Sequence, residues 1–213
     1  MTEEEKIFAG KMFDPRTPEL RRRKLAAHRA CQQYNAMDEL DPARPGLLRS
    51  VLGAVGKTFA VQSPVQFNYG CHTFIGENFL ANFNLLVMDD GLIFIGDNVC
   101  LGPGVSLLAT DHPLLSRERM GRDETGATVL AEYAGEIHIE DGVWLASGVS
   151  VLSGVRVGAG AVVGAGSVVT HDIPAGYLAV GTPARPIRPI TQADSRRDLM
   201  LPQDLAHFGM EEA

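Results

Sequence analysis

The sequence predicts a mainly β fold, a parallel β-solenoid coiled from very short strands. The first observation is a repeat of six. Ile139, Leu145, Val151, Val157, Val163 and Val169 are spaced by six residues, and Ile95, Leu101 and Leu107 keep that spacing earlier. The second is alternation. Val143-Trp144-Leu145, Val149-Ser150-Val151, Val155-Arg156-Val157, Ala161-Val162-Val163 and Ser167-Val168-Val169 read inward, outward, inward, as short strands must. The third is what separates the triplets: Ala146-Ser147-Gly148, Leu152-Ser153-Gly154, Gly158-Ala159-Gly160 and Gly164-Ala165-Gly166 carry the glycines that corners need. Helical spacings of three and four are missing from this region.

Residues 1–57 are expected to form a helical N-terminal module, with helix over about 3–56. Thr17-Pro18-Glu19 reads as a helix start, Thr17 as cap and Pro18 at the first helical position. Leu47, Leu48, Val51, Leu52 and Val55 share one helical face. Phe59, Val61, Val65, Phe67 and Tyr69 then alternate as extended chain around Pro64. The solenoid domain spans 58–190, with its repeat setting in near Ile75. Two extra residues interrupt it at Asp89-Asp90. After Leu107 the pattern fails: Asp111 takes an inward position and His112 the next outward one. Residues 113–136, marked by Arg117, Arg119, Arg122, Asp123 and Glu124, read as an exposed external loop, and loops of that length inside a compact fold usually serve function. The repeat stops after Pro174, and a polar C-terminal tail, 191–213, has no assignable role.

Composition narrows the classes. The chain has 213 residues, 45% hydrophobic and 21% charged, which fits an ordered globular protein. A formal net charge of −7 argues against nucleic acid or an anionic membrane as the main partner. No stretch approaches a membrane span, and the acidic start Met1-Thr2-Glu3-Glu4-Glu5-Lys6 lacks a signal core. Cys31, Cys71 and Cys100 are widely separated and read as reduced thiols, so the expected compartment is the cytoplasm.

Several segments carry a resemblance: Ala9-Gly10-Lys11-Met12-Phe13-Asp14, Asn68-Tyr69-Gly70, Ala81-Asn82-Phe83-Asn84, Asp89-Asp90, His112-Pro113, Val143-Trp144 and Gly181-Thr182-Pro183-Ala184-Arg185. On these the chain resembles the hexapeptide-repeat acyltransferases, and most of all the maltose and galactoside O-acetyltransferases, over nearly all of residues 4–190. The resemblance implies a left-handed parallel β-helix; the usual crossover rule would favour the right hand. It also implies acetyl-CoA as co-substrate, a small hydroxylated acceptor, and a homotrimer with active sites between neighbouring solenoids. Independently, Val162 and Val168 point outward, where a monomer would prefer polar groups.

The resemblance makes His112 the general base. Neutral imidazole can take the hydroxyl proton as the oxygen attacks the thioester. Glu132 is implied near that imidazole, holding its tautomer and stabilising the imidazolium, although loop solvation explains it equally well. Asn82 matches a donor to the developing oxyanion, and Asp90 and Asn68 match acceptor contacts; turn chemistry is the plainer account of Asn and Asp. Asn68 departs from the Ser or Asp of relatives. Asp14 matches a substrate contact from the N-terminal module, with helix capping as its alternative. For acetyl-CoA the implied contacts are Asn82, Trp144, Ser147, Ala165, Thr170, His171, Arg185 and Arg188. The arginines suit phosphates, and the small residues admit a thin pantetheine arm. Trimer burial explains Trp144 as well as pantetheine packing does. The 113–136 loop is longer than in the sugar acetyltransferases, and Glu136 replaces their usual Pro.

Other classes remain in view. N-acetyl transfer on the same scaffold is one. A γ-carbonic-anhydrase-like zinc enzyme would need three convergent imidazoles, yet no closely spaced His accompanies His112, so no metal is expected. His138 is explained by an outward strand position, and His72 and His171 by turns. A non-catalytic solenoid scaffold is a further class. Cysteine nucleophilic catalysis is disfavoured, because direct transfer needs no acyl-enzyme.

Overall fold

In the computed structural model, which describes residues 1–205 and 207, three helices lead into a three-faced prism of stacked parallel strands. Face one stacks Ala54–Val55, Thr73–Ile75, Ile93–Ile95, Ile137–Ile139 and Arg156–Val157. Face two stacks Phe59–Val61, Phe79–Ala81, Cys100–Leu101, Trp144–Leu145, Val162–Val163 and Tyr177–Gly181. Face three stacks Val65–Phe67, Leu85–Met88, Ser106–Leu108, Ser150–Leu152 and Val168–Val169. The chain visits the faces in that order on each coil, so residues about twenty apart pair without slippage: Thr73 with Ile93, Leu80 with Cys100, Val87 with Leu107.

The six-residue repeat is the cause. Its aliphatic positions all enter the prism, where Leu101, Leu107, Leu145, Val151, Val157, Val163 and Val169 are 0% exposed. Each such burial contributes about 1.5–3 kcal/mol. Corners turn through one left-handed residue. Asn78, Asn98, Gly142 and Gly160 take that place between faces one and two, with φ of 56°, 57°, 67° and 65°. Asparagine and glycine are the residues that reach it cheaply.

The expected helical run is shorter than the sequence suggested. Helices α1 (Glu3–Phe8), α2 (Pro18–Ala36) and α3 (Arg44–Arg49) form, but Ala54–Val55 is already a strand, paired with Phe74 and Ile75. The first coil therefore begins there and not near Ile75. Thr17 stands at the start of α2 without a side-chain cap bond, although Pro18 holds its expected place. Cys31 and Tyr34 of α2, with Leu48 and Leu52, close the apolar interior of that first coil. At the other end Ala184–Pro189 folds back antiparallel on Tyr177–Gly181 and covers the last strand.

The 113–136 excursion has structure of its own. Helix α4 (Ser116–Arg119) leads into a hairpin of Met120–Arg122 against Thr128–Leu130, and Tyr133–Ala134 then pairs antiparallel with Thr110–Asp111. Asp111 is half-buried on that small ladder; the inward position falls to Ala109, which is 0% exposed. The tail beyond Ile190 makes short 3-10 turns over Gln192–Asp194, Arg197–Leu199 and Pro202–Asp204. Residues 206 and 208–213 of the expected tail lie outside the described residues. Among the described residues no helix is long and apolar enough to cross a membrane.

Candidate active site

The corner between faces three and one gathers the candidate catalytic and acceptor residues. Successive coils bring Asn68 and Tyr69, then Asp89 and Asp90, then His112 with Glu132, to this one edge. His112 is half-buried, and its Nδ1 lies 2.9 Å from the carbonyl oxygen of Ala131. A carbonyl only accepts, so Nδ1 carries the hydrogen and Nε2 keeps its lone pair. The tautomer-setting contact expected of Glu132 is thus made by the backbone one residue earlier.

Glu132 is 9% exposed, and its own carbonyl accepts from the Phe13 amide at 2.9 Å. Burial raises its carboxyl pKa, repulsion from Asp90 and Asp14 adds to this, and Lys24 and His112 offset part of it.

Asp90 is buried and fully engaged. Asn68 Nδ2 donates to both its oxygens at 3.1 and 3.0 Å, and the Thr110 hydroxyl donates to Oδ2. Asn68 thereby spends its donors on Asp90 and leaves its own Oδ1 as an acceptor. Beneath them Asp89, 0% exposed, accepts from the Tyr69 amide at 2.7 Å and the Thr73 hydroxyl at 2.9 Å. Burial pushes its pKa up to about 6 despite those donors. The frame slip at 89–90 therefore serves two carboxylates, one holding the Tyr69 turn and one holding Asn68.

Composition and repeat do not single out three neighbours. His72 is a turn residue by register, yet it is 1% exposed. Its Nδ1 faces the carbonyls of Asp89 and Asp90 at 2.9 and 3.1 Å, and its Nε2 faces Glu4 at 3.4 Å. Burial opposes its charged form, but Cys71, Asp89 and Glu4 prevail and lift its pKa to about 9. Tyr69 is buried with its hydroxyl unpartnered among the described residues, and Lys24 Nζ sits 5.2 Å from its ring centre. Arg16 grips Asp14 through Nε and Nη2 at 2.9 and 2.8 Å. That pairing lowers the Asp14 pKa, and Oδ1 also accepts from the Arg16 backbone amide at 2.9 Å, in the turn before α2.

Most of the candidate cofactor residues lie elsewhere. Asn82, Ser147 and Ala165 occupy the corner between faces two and three, and Trp144 projects from face two, half exposed. The Asn82 Oδ1 accepts from the Phe83 amide at 2.8 Å, which leaves its Nδ2 as a donor. Thr170 and His171, hydrogen-bonded to each other at 2.8 Å, sit on the His112 edge near the C-terminal end. Arg185 and Arg188 lie on the final antiparallel strand; among the described residues Arg185 hydrogen-bonds the adjacent Ala184 carbonyl, whereas Arg188 is clamped by Asp194 at 2.6 and 2.8 Å. Asn82 and Asp90 are separated by the full width of face three, roughly 13 Å for a four-residue strand. One chain cannot bring them together.

Among the described residues no group of three or more His, Cys, Asp or Glu side chains could hold a metal ion. A groove of about 470 Å³ lies on face one, lined by Phe74, Phe94 and His138, away from the His112 edge.

Comparison with known proteins decides the family. Residues 6–56 match the maltose acetyltransferase hexapeptide capping motif, and residues 136–171 match the six-repeat bacterial transferase hexapeptide. The galactoside O-acetyltransferase of Escherichia coli (strain K12) is 36% identical over 191 residues, covering 89% of this chain and 90% of that protein.

The chain belongs to the hexapeptide-repeat acetyltransferases.

Solved members of this group superpose well on it. A galactoside acetyltransferase in complex with coenzyme A has a TM-score of 0.83 at 37% identity, covering 91% of this chain and 94% of that one. A hexapeptide-repeat acetyltransferase of Vibrio cholerae O1 biovar eltor, complexed with acetyl coenzyme A, has a TM-score of 0.78 at 34% identity, covering 90% and 100%. As a hexapeptide-repeat acetyltransferase, the protein presents its repeat as the prism and its capping motif as the three helices, and its hairpin lies beside His112.

Proposed function

We propose that this acetyltransferase moves an acetyl group from acetyl-CoA to a hydroxyl of a sugar or related small molecule, with His112 as general base. The observation that carries the reading is the His112–Ala131 contact, which frees Nε2 as a proton acceptor on an edge that also holds Asn68, Asp90 and Glu132. The acceptor hydroxyl gives its proton to Nε2 as its oxygen bonds the acetyl carbon. Asn82 Nδ2 donates to the oxyanion, the C–S bond breaks, and the proton passes from His112 to the departing thiolate. Asn68, Asp90 and Asp14 line the acceptor side. Trp144, Ser147, Ala165, Thr170, His171, Arg185 and Arg188 line the path of CoA. The complexes of the two relatives with CoA and acetyl-CoA support that co-substrate.

We further propose a homotrimer in which the His112 edge of one prism meets the Asn82 corner of the next. The separation of the two edges in one chain supports this, as does the outward row Leu80, Cys100, Trp144, Val162 and Leu178 on face two, where Leu80 and Trp144 are 46% and 50% exposed. The three free thiols support a cytoplasmic location.

The test is thiol release from acetyl-CoA against sugars, nucleotide sugars, serine and aminoglycosides. Hydroxyl acetylation of a sugar is expected; a uniform preference for amines overturns the O-acetyl reading in favour of N-acetyl transfer. Co-refolding inactive His112→Ala and Asn82→Ala chains is expected to restore turnover, because a mixed trimer contains one edge with both groups intact. Failure of that complementation overturns the shared site.

A further inference from the structure

One guanidinium ties together two segments that the sequence keeps apart. Arg16 Nε and Nη2 bond Asp14, Nη1 bonds the Thr128 carbonyl at 2.9 Å, and Nη2 also reaches Asp123 at 3.3 Å. Asp123 in turn closes the hairpin tip through Thr125 and Ala127. Thr128 begins the return strand that reaches Ala131 and Glu132 three and four residues later. That strand is gripped again where Phe13 donates to the Glu132 carbonyl at 2.9 Å, and Ala131 donates to Arg119 at 2.8 Å. Residues 13–16 thus act on the return strand from one side, while His112 leans on it from the other.

We propose that Arg16 is a positioning residue for acetyl transfer. Its planar fork holds Asp14, Asp123 and Thr128 in one plane and so fixes the height of the Ala131 carbonyl, which selects the His112 tautomer and aims Nε2 at the acceptor. The same grip commits Asp14 to Arg16 and hands shaping of the acceptor side to the hairpin. An isolated half-exposed ion pair contributes little, but a guanidinium serving three acceptors on two elements also carries geometry. The inference rests on His112 being the base.

Arg16→Ala is expected to lower kcat about ten- to a hundredfold, the size of effect that a misplacement near 1 Å produces, while KM for acetyl-CoA stays unchanged. Trypsin should cleave the loop faster after Arg117, Arg119 or Arg122. Arg16→Lys should recover only part of kcat, because an ammonium cannot serve the three acceptors in one plane. Should Arg16→Ala fail to fold, Asp123→Asn removes one charged arm and is expected to lower kcat in the same direction by less. Wild-type kcat in these variants, with His112→Ala inactive, overturns the role of Arg16 alone. Equal losses of kcat, acetyl-CoA affinity and thermal stability overturn it too, as a general packing defect. An active His112→Ala overturns the base itself.

Discussion

The Ala131 carbonyl and His112 Nδ1 stand 2.9 Å apart, so the orientation of the candidate base depends on a backbone atom of the inserted loop. Side-chain substitution cannot remove that acceptor, but shifting the return strand can. Replacing His112 by Ala should lower kcat by about 10² to 10⁴ and leave the unfolding midpoint close to wild type, since the residue is only half-buried. Steady-state thiol release beside a urea titration checks both halves.

Alkaline stability should depend on His72. Its folded pKa of about 9 lies above the reference value of 6.5, so its contribution is complete below about pH 6.5 and is lost as pH rises through 9. The loss amounts to at most about 3 kcal/mol. His72→Gln should flatten the fall in urea midpoint between about pH 6.5 and 9. An unchanged slope counts against the charged ring.

Gly102 lies under the Ser147 corner, where an added Cβ would meet the Ser147 nitrogen at 2.7 Å and the Ala146 carbon at 2.9 Å. Both are backbone atoms of the next coil and cannot rotate away. Gly102→Ala should destabilise by about 1–3 kcal/mol and raise KM for acetyl-CoA with little change in kcat. Calorimetry and kinetics at saturating acceptor measure the pair.

Arg185 has its charge uncommitted to any carboxylate among the described residues, while Arg188 is held by Asp194. Arg185→Ala should therefore raise KM for acetyl-CoA about tenfold or more, as losing one charge-assisted bond does. The effect should be smaller for a pantetheine thioester that lacks the nucleotide phosphates.

The parts of this molecule that repeat were legible from sequence. Each aliphatic of the run 139–169 is repeated by its neighbours, so periodicity carried the prism, the outward Trp144 and the corner glycines. What escaped is made by single pairings between distant coils. Ala54–Val55 is two residues long, and its only signature is its partner in the next coil. His72 is the turn residue that its register predicts, but its burial is not legible there, because its partners, the carbonyls at 89 and 90 and Glu4, belong to other coils and another module. Arg16 sits in an unremarkable Pro-Arg-Thr stretch; beyond Asp14, its contacts lie more than a hundred residues away, inside a loop whose hairpin the charge pattern concealed. The candidate site residues came from motif likeness; the repeat marks their neighbourhood only by its breaks at 89–90 and after Leu107, because a hexad fixes inward aliphatics and corner glycines and not the polar side chains that differ from coil to coil.

Residues of α2 and α3 close the interior of the first coil, and Ala184–Pro189 lies along the last strand of face two. A stack of parallel rungs is otherwise a template that further copies extend without limit. Where these elements lie they oppose the addition of further coils along the axis. The terminal plugs thus keep a fibre-like architecture finite.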